Sequence, residues 1–90
     1  MKRYHVIVEG MVQGVGMRGF CMMQAQMRNL TGSVRNMSNG MVEIFVQGDE
    51  EAIDDFLTIV AKGSNFIHVT NMTVKEVPVK EGEKRFSYLW

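Results

Sequence analysis

A cluster of three glycines followed by an arginine is the feature of this chain that could carry chemistry. Gly10, Gly14 and Gly16 lie within seven residues, too many for a helix or strand interior, so the segment is predicted to be a loop. Because a predicted helix follows, the backbone N–H groups of the loop can converge on one point of positive potential. Arg18 lies in the first helical turn, where the helix dipole disfavours a cation unless an anion is bound. The pattern indicates a nest for a phosphate or a carboxylate.

A plainer interpretation of the same residues is that the glycines only make a turn and that Arg18 is solvated. Glycine-rich loops between a strand and a helix are weak motifs, and this one lacks the Gly-Lys-Ser/Thr ending of the nucleotide-binding P-loop. Spacing alone leaves both interpretations open.

Asn36 is a second candidate, since it is a polar residue in a short predicted strand. Asparagine is unfavourable in strands, and taken alone it is best explained as capping a turn or bonding to a neighbouring backbone group. His5 and His68 are expected to be surface or sheet residues rather than catalysts or ligands. Cys21 is the only cysteine, which excludes an internal disulfide, argues against a cysteine-based metal site and points to a reducing cytoplasm.

The composition predicts one small domain, residues 1–90, without a strong overall electric field. Ten basic and ten acidic residues cancel, which disfavours nucleic acid or an anionic membrane as a partner. The sequence shows neither the apolar core of a signal peptide nor the roughly 18 apolar residues of a membrane span. The nine methionines are interpreted as core packing rather than as a thioether metal site.

Hydrophobic periodicity places the loop between a strand and a helix. Residues 3–9 alternate as in a strand, and residues 17–30 have the apolar spacing of a helix, with Gly32 at the expected helix stop. The remaining predicted elements are strands at 33–37 and 41–47, a helix from Asp49 to Lys62, an imperfect strand within 66–79 and a last strand at 86–90.

Two further details of the chain path follow from local residue types. Asn39 and Gly40 are expected to supply the positive φ angles of a tight hairpin. A change of phase near Thr70 and Asn71 indicates a bulge. The order of elements predicts an α+β fold, a ferredoxin-like split βαβ sandwich in which two helices cover one face of an antiparallel sheet.

The residues around the loop and around Asn36 resemble two signatures of the acylphosphatase family. The first, a hydrophobic residue, then GxVQGVx, an aromatic or methionine, and arginine, is matched by Val8, Gly10, Val12, Gln13, Gly14, Val15, Met17 and Arg18. The second is matched by Gly32, Val34, Arg35, Asn36, Gly40, Val42 and Gly48. A weaker resemblance continues through Gly63, Ser64 and Val69. Two motifs in the correct order are more specific than either alone, so the whole chain looks like a free-standing acylphosphatase.

This resemblance implies hydrolysis of the carboxyl-phosphate bond of a small-molecule acyl phosphate, without a metal, another cofactor or a covalent intermediate. The backbone of Gly14, Val15, Gly16, Met17 and Arg18 would cradle the phosphate. The Arg18 side chain would bind it, Asn36 would hold the attacking water, and the substrate would take the proton of that water. We expect a cytoplasmic monomer that uses neither nucleic acid nor a membrane.

The chain departs from the family pattern at three positions. Ser33 stands where a large aromatic is usual, Gly19 where a bulkier residue is common, and Met17 where phenylalanine is commoner. None removes a catalytic group. Gly19 is expected to cost the helix up to about 1 kcal/mol relative to alanine, and Ser33 to loosen the packing beside Asn36.

Two other functions remain as alternatives. Acylphosphatase-like domains also occur at the front of larger carbamoyl-transfer maturation factors, where this domain would bind phosphate without independent turnover. That interpretation requires further domains, and none follows Trp90 in this sequence. A ferredoxin-like nucleic-acid binder is disfavoured, since the first and third strands lack the paired exposed aromatics and the basic face that base stacking requires.

Overall fold

The computed structural model describes residues 1–89, with five strands and two helices. In chain order they are β1 (Lys2–Met11), α1 (Met17–Met27), β2 (Thr31–Asn36), β3 (Val42–Gly48), α2 (Glu50–Lys62), β4 (His68–Val77) and β5 (Phe86–Tyr88). This arrangement confirms the predicted ferredoxin-like α+β fold. Trp90, the end of the last predicted strand, lies outside the described residues. Within residues 1–89 neither helix is long and apolar enough to cross a membrane.

The strands form one sheet in the order β4-β1-β3-β2-β5. β1 pairs antiparallel with β3 and β4, and β2 pairs antiparallel with β3 across the predicted hairpin. The prediction of an antiparallel sheet needs one correction, because β5 runs parallel to β2. In this pairing Tyr88 lies opposite Val34. The segment between β4 and β5 returns the chain to the start of β2. The last strand therefore lies against the strand that ends in Asn36.

Both helices cover one face of the sheet, and the hydrophobic core lies between this face and the helices. Alternate residues of β1 and β3 point to this face because side chains alternate along a strand. The buried core residues include Val6, Val8, Met17, Cys21, Ala25, Val34, Val42, Ile44, Val46, Ile53, Phe56 and Val60. The second helix begins as predicted, since the Asp49 carboxylate accepts the Ala52 N–H at 3.4 Å.

The first helix ends earlier than its periodicity predicts. It stops at Met27, because Asn29 adopts the left-handed conformation with φ 56° and the Leu30 N–H turns back to the Ala25 carbonyl at 2.9 Å. Gly32, the predicted stop, lies within β2 instead. There its φ is 138°, and a Cβ would collide with the carbonyl oxygen of Phe45 on the neighbouring strand.

The β2–β3 hairpin differs from the prediction in one angle. Gly40 has φ 89°, whereas Asn39 does not have a positive φ, so the expectation for Asn39 is wrong. The Gly40 N–H donates to the Met37 carbonyl at 3.2 Å, and the Met37 N–H donates to the Met41 carbonyl at 2.9 Å. Asn39 supports the turn through its side chain, since Oδ1 accepts the Met41 N–H at 3.0 Å. The hairpin is thus a turn followed by one left-handed glycine.

The predicted bulge in the fourth strand is confirmed. Glu9 opposes Asn71 and Gly10 opposes Val69, so Thr70 is an extra residue on β4. At Gly10 φ is 129°, and a Cβ there would collide with the His68 carbonyl oxygen. Gly10, which was predicted to lie in the loop, is therefore part of β1, and this close approach requires a glycine one residue before the end of the strand. The bounds of strands β1 to β4 differ from the prediction by one or two residues.

Candidate active site

The glycine-rich loop leads from β1 into α1 and is fixed at both ends by buried side chains, Val12 and Met17. Between them Gly14 and Gly16 have φ of 73° and 83°, in the left-handed region that favours glycine. A Cβ at either position would have no atom within 4 Å among the described residues, so conformation rather than space calls for glycine. Gly16 is the N-cap of α1 and provides no side-chain cap. The first N–H groups of the helix are therefore available to an anion.

Gln13 joins this loop to the β2–β3 hairpin. Its Nε2 donates to the Met37 carbonyl at 2.7 Å and to the Met41 carbonyl at 2.8 Å. One amide thus adds a second hydrogen bond to two backbone acceptors, one on each side of the hairpin turn. Since Met37 follows Asn36 directly, the bonds of Gln13 fix the loop relative to the end of β2. The structure thereby gives Gln13, a residue of the first signature, a specific supporting role.

Arg18 is held by the last strand and the residue that follows it. One terminal guanidinium nitrogen donates to the Leu89 carbonyl at 3.1 Å, and Cζ lies 4.7 Å from the centroid of the Tyr88 ring. The ring face attracts the cation, and the carbonyl fixes its direction. Neither Tyr88 nor Leu89 was identified from the sequence, because they lie some seventy residues from Arg18.

The same strand connects Arg18 to β2. The Leu89 N–H donates to the Val34 carbonyl at 2.8 Å while the Leu89 carbonyl accepts from Arg18. Asn36 is two residues beyond the buried Val34, so its side chain lies on the same sheet face, the one covered by α1. The structure therefore brings residues 14–18 and Asn36 to one end of the sheet and one face of it.

Asn36 carries an unusual polar group. Its side-chain Oδ1 is buried, and no described residue donates a hydrogen bond to it. Buried acceptors are nearly always paired, and an unpaired one costs about 1–3 kcal/mol. The asparagine therefore does not cap a turn through this oxygen, which was the plain explanation for it. A polar atom kept at such a cost is typical of a functional position.

The three departures from the family pattern have different structural consequences. Met17 is 2% exposed and packs in the core, so its contribution to the loop is the backbone. Gly19 faces open space. Ser33 opposes Phe45 and Ser87 on the sheet face away from the helices, whereas Asn36 lies on the helix side. The expectation that Ser33 loosens the packing beside Asn36 is therefore wrong, because the two side chains point to opposite faces.

Other titratable groups lie away from this site or are unreactive. Burial raises the pKa of the Cys21 thiol to about 12, which removes it as a nucleophile. His5 bonds to Glu43 at 2.8 Å, and both lie on the open face of the sheet. His68 is exposed at the start of β4. Among residues 1–89 no group of three or more His, Cys, Asp or Glu side chains could hold a metal ion.

A cavity of about 620 Å³ opens beside the end of β1 and the first residues of the loop. Its lining is mainly apolar and includes Gly10, Met11, Val12 and Thr70. Gln13 also lines it, but Arg18 and Asn36 do not. The cavity therefore adjoins the glycine-rich loop without including Arg18 or Asn36 in its lining.

Comparison with known proteins places these features in a family context. A family model described as Acylphosphatase matches residues 4–88. The acylphosphatase of Geobacillus kaustophilus is 46% identical over 90 residues, which cover 100% of this chain and 96% of that protein. The crystal structure of acylphosphatase from Bacillus subtilis has a TM-score of 0.95 and 44% identity, with 100% of both chains covered. The crystal structure of full-length HypF, in a phosphate- and nucleotide-bound form, has a TM-score of 0.87 and 35% identity, covering 99% of this chain but 12% of HypF.

Proposed function

Because this chain belongs to the acylphosphatase family, we propose that residues 14–18 and Asn36 carry out hydrolysis of the carboxyl-phosphate bond of acyl phosphates. The products are a carboxylate and inorganic phosphate. The observation that carries this assignment is the common position of Arg18 and Asn36 at one end of the helix-covered sheet face, linked through Leu89 and Val34. In this proposal the loop of residues 14–18 and the Arg18 side chain bind the phosphate, and Asn36 positions the attacking water.

Phosphate binding rests on backbone donors and one fixed cation. The left-handed Gly14 and Gly16 turn the chain so that N–H groups at the start of α1 are available, and the helix dipole favours an anion there. Arg18 has five N–H donors, of which the structure directs one to Leu89. Its remaining donors can bind phosphate oxygens in the paired geometry that guanidinium favours. Because Tyr88 and Leu89 hold Arg18 before substrate arrives, little entropy is lost on binding.

Hydrolysis then needs a water placed opposite the leaving group. The water oxygen forms a bond to phosphorus as the bond from phosphorus to the acyl oxygen breaks. The electron pair of the broken bond leaves with the carboxylate. The water proton passes to an oxygen of the substrate phosphate. A carboxylate is a good leaving group, so positioning and charge neutralisation suffice without a strong base. Asn36 suits this task because its amide makes no structural hydrogen bond through Oδ1 to any described residue.

The alternative is a phosphate-binding module of a carbamoyl-transfer maturation factor that lacks turnover of its own. It is less supported, since relatives named acylphosphatase match this chain over nearly their whole length, whereas HypF matches it over 12% of its own chain. A direct assay separates the two. The module would bind phosphate but would leave acyl phosphates intact.

The test of the activity is hydrolysis of benzoyl phosphate by the purified protein in the presence of EDTA. We expect turnover that added magnesium or zinc does not increase. Absence of hydrolysis, or hydrolysis only with added metal, would contradict the proposal. Repeating the assay with acetyl phosphate and carbamoyl phosphate compares the acyl groups.

The test of the residue roles compares Arg18→Ala with Asn36→Ala. Arg18→Ala should abolish most phosphate binding in calorimetry. Asn36→Ala should lower kcat by roughly 10² to 10³, the scale for loss of one positioned polar group, with a much smaller change in phosphate affinity. Urea unfolding provides the control for folding. Because Oδ1 has no donor among the described residues, Asn36→Ala should not reduce stability. Full turnover in Asn36→Ala would refute its role.

A further inference from the structure

A second cavity lies on the open face of the sheet, opposite the helices. Its volume is about 380 Å³, and it is bounded by β2, β5 and the segment between β4 and β5. Ser33, Phe45 and Ser87 contribute side chains from the sheet. The serine at position 33 leaves room here, because a large aromatic on the same face would occupy this space. The open cavity is therefore a property of this chain's own residue at position 33.

The lining of this cavity is strongly cationic. Lys80, Lys84 and Arg85 line it together with Arg3, against a single carboxylate, Glu83. Glu83 is already engaged, since its Oε1 lies 2.9 Å from an Arg3 guanidinium nitrogen. Among residues 1–89 the other three cations form no ion pair. The chain as a whole has no net charge, so this excess is local.

One wall of the cavity is fixed by a buried polar network. Arg3 is 8% exposed and Gln47 is 3% exposed, although both lie on the open face. Arg3 donates to Gln47 Oε1 at 3.1 Å, and the same oxygen accepts the Lys80 N–H at 2.8 Å. Gln47 Nε2 donates in turn to the Lys80 carbonyl at 3.1 Å. These bonds hold the segment of Lys80 and Glu83 against the sheet, so the cavity is preformed.

Leu89 connects this cavity to Arg18. Side chains alternate along β5, so Tyr88 packs under Arg18 on the helix side while Ser87 and Leu89 line the cavity on the other side. The Leu89 carbonyl accepts from Arg18, and its N–H donates to Val34. Leu89 is therefore both a lining residue of the cavity and the acceptor that directs the Arg18 guanidinium.

We propose that this cavity is a second anion site, for a small molecule carrying two or more phosphate or carboxylate groups, and that it is coupled to Arg18 through Leu89. The three unpaired cations bind the charged groups, and the hydroxyls of Ser33 and Ser87 add hydrogen bonds. The anion site stands independently of the proposed function. The coupling rests on the proposed role of Arg18 in binding phosphate.

Binding is tested by calorimetry with tripolyphosphate and with citrate, which represent the two kinds of charged group. We expect one or both to bind, and Arg18→Ala to retain that binding. Lys84→Gln combined with Arg85→Gln should weaken it about tenfold or more, as loss of two charge-assisted contacts predicts. Ser33→Trp should abolish it by filling the cavity. Lys62→Gln combined with Lys75→Gln removes the same charge elsewhere and should leave binding intact.

The site is refuted if neither anion binds, or if binding survives Ser33→Trp and disappears in Arg18→Ala, because the anion then occupies only the phosphate loop.

Coupling has its own measurement. At a saturating concentration of the anion, the affinity of the native protein for inorganic phosphate should change at least about twofold. The affinity of Ser33→Trp should not change. Because coupling between two sites is reciprocal, phosphate should change the affinity for the anion by the same factor. Anion binding with unchanged phosphate affinity would refute the link through Leu89.

Discussion

The guanidinium of Arg18 lies over the ring of Tyr88, 4.7 Å from its centroid, while the next residue, Leu89, accepts one of its hydrogen bonds. The position and the direction of the Arg18 side chain are thus set by two neighbouring residues at the end of β5. Because β5 pairs with β2, this strand also carries the link to Asn36. The site depends on how β5 is attached.

Tyr88→Ala should raise the KM for benzoyl phosphate about two- to fivefold, as loss of a cation–π contact of about 0.5–1 kcal/mol at a half-exposed site predicts. Tyr88→Phe keeps the ring face and should stay close to the native value. Steady-state kinetics of the two variants make the comparison. An equal defect in Tyr88→Phe would mean that the hydroxyl, and not the ring, supports Arg18.

Gln13→Glu should destabilise the protein and weaken phosphate binding. The substitution replaces two N–H bonds to the Met37 and Met41 carbonyls by a carboxylate facing two acceptors. Both carbonyls keep their hairpin hydrogen bonds, from the Gly40 and Met37 N–H groups, but each lost bond from Gln13 costs about 0.5–1.5 kcal/mol, and the carboxylate repels the two carbonyl oxygens. Urea unfolding gives the stability, and calorimetry gives the phosphate affinity. Gln26→Glu, at an exposed position of α1, is the matched control and should change neither. If Gln13→Glu leaves phosphate affinity unchanged, the loop does not depend on this bridge.

Two glycine-to-alanine variants should act in opposite directions. At Gly19 a Cβ would have no described atom within 4 Å, and alanine favours the helix, so Gly19→Ala should stabilise the protein by about 0.5–1 kcal/mol. At Gly10 the Cβ would strike the His68 carbonyl at a positive φ, so Gly10→Ala should cost about 2–3 kcal/mol. Thermal unfolding measures both. A stabilising Gly10→Ala would contradict the tight contact at the bulge.

Stability should fall in acid through Glu43. Burial by itself would raise the pKa of this carboxyl, but hydrogen bonds from His5 and Arg35 hold it below its ordinary value of 4.5. A lowered pKa in the folded state stabilises the protein above pH 4.5, and the contribution is lost as the pH falls through the folded-state value. Glu43→Gln should therefore reduce stability at pH 7 by about 1–2 kcal/mol and flatten the decline below pH 4.5. Unfolding in urea between pH 3 and pH 7 tests this, with the exposed Glu51→Gln as control, which should retain the native pH dependence.

Much of the fold could be predicted from the sequence because its signals are local. Alternation in β1 and β3 identified Val42, Ile44 and Val46 as one buried face, and the phase change near Thr70 identified the bulge. The errors arose where a local signal had two possible outcomes. Asn29 took the left-handed position expected of Gly32, since asparagine also tolerates that conformation.

The sequence by itself determined the glycine loop, the arginine that follows it and the asparagine on β2, together with the family resemblance that gives them a chemistry. Only the tertiary structure decided which residues hold Arg18 and on which face of the sheet Ser33 lies. It also decided that Arg3 and Gln47 are buried beneath the segment that follows β4. The reason is physical. Periodicity and turn preference act within a few residues, whereas the contacts of Tyr88 and Leu89 exist only because a strand from the end of the chain pairs with β2.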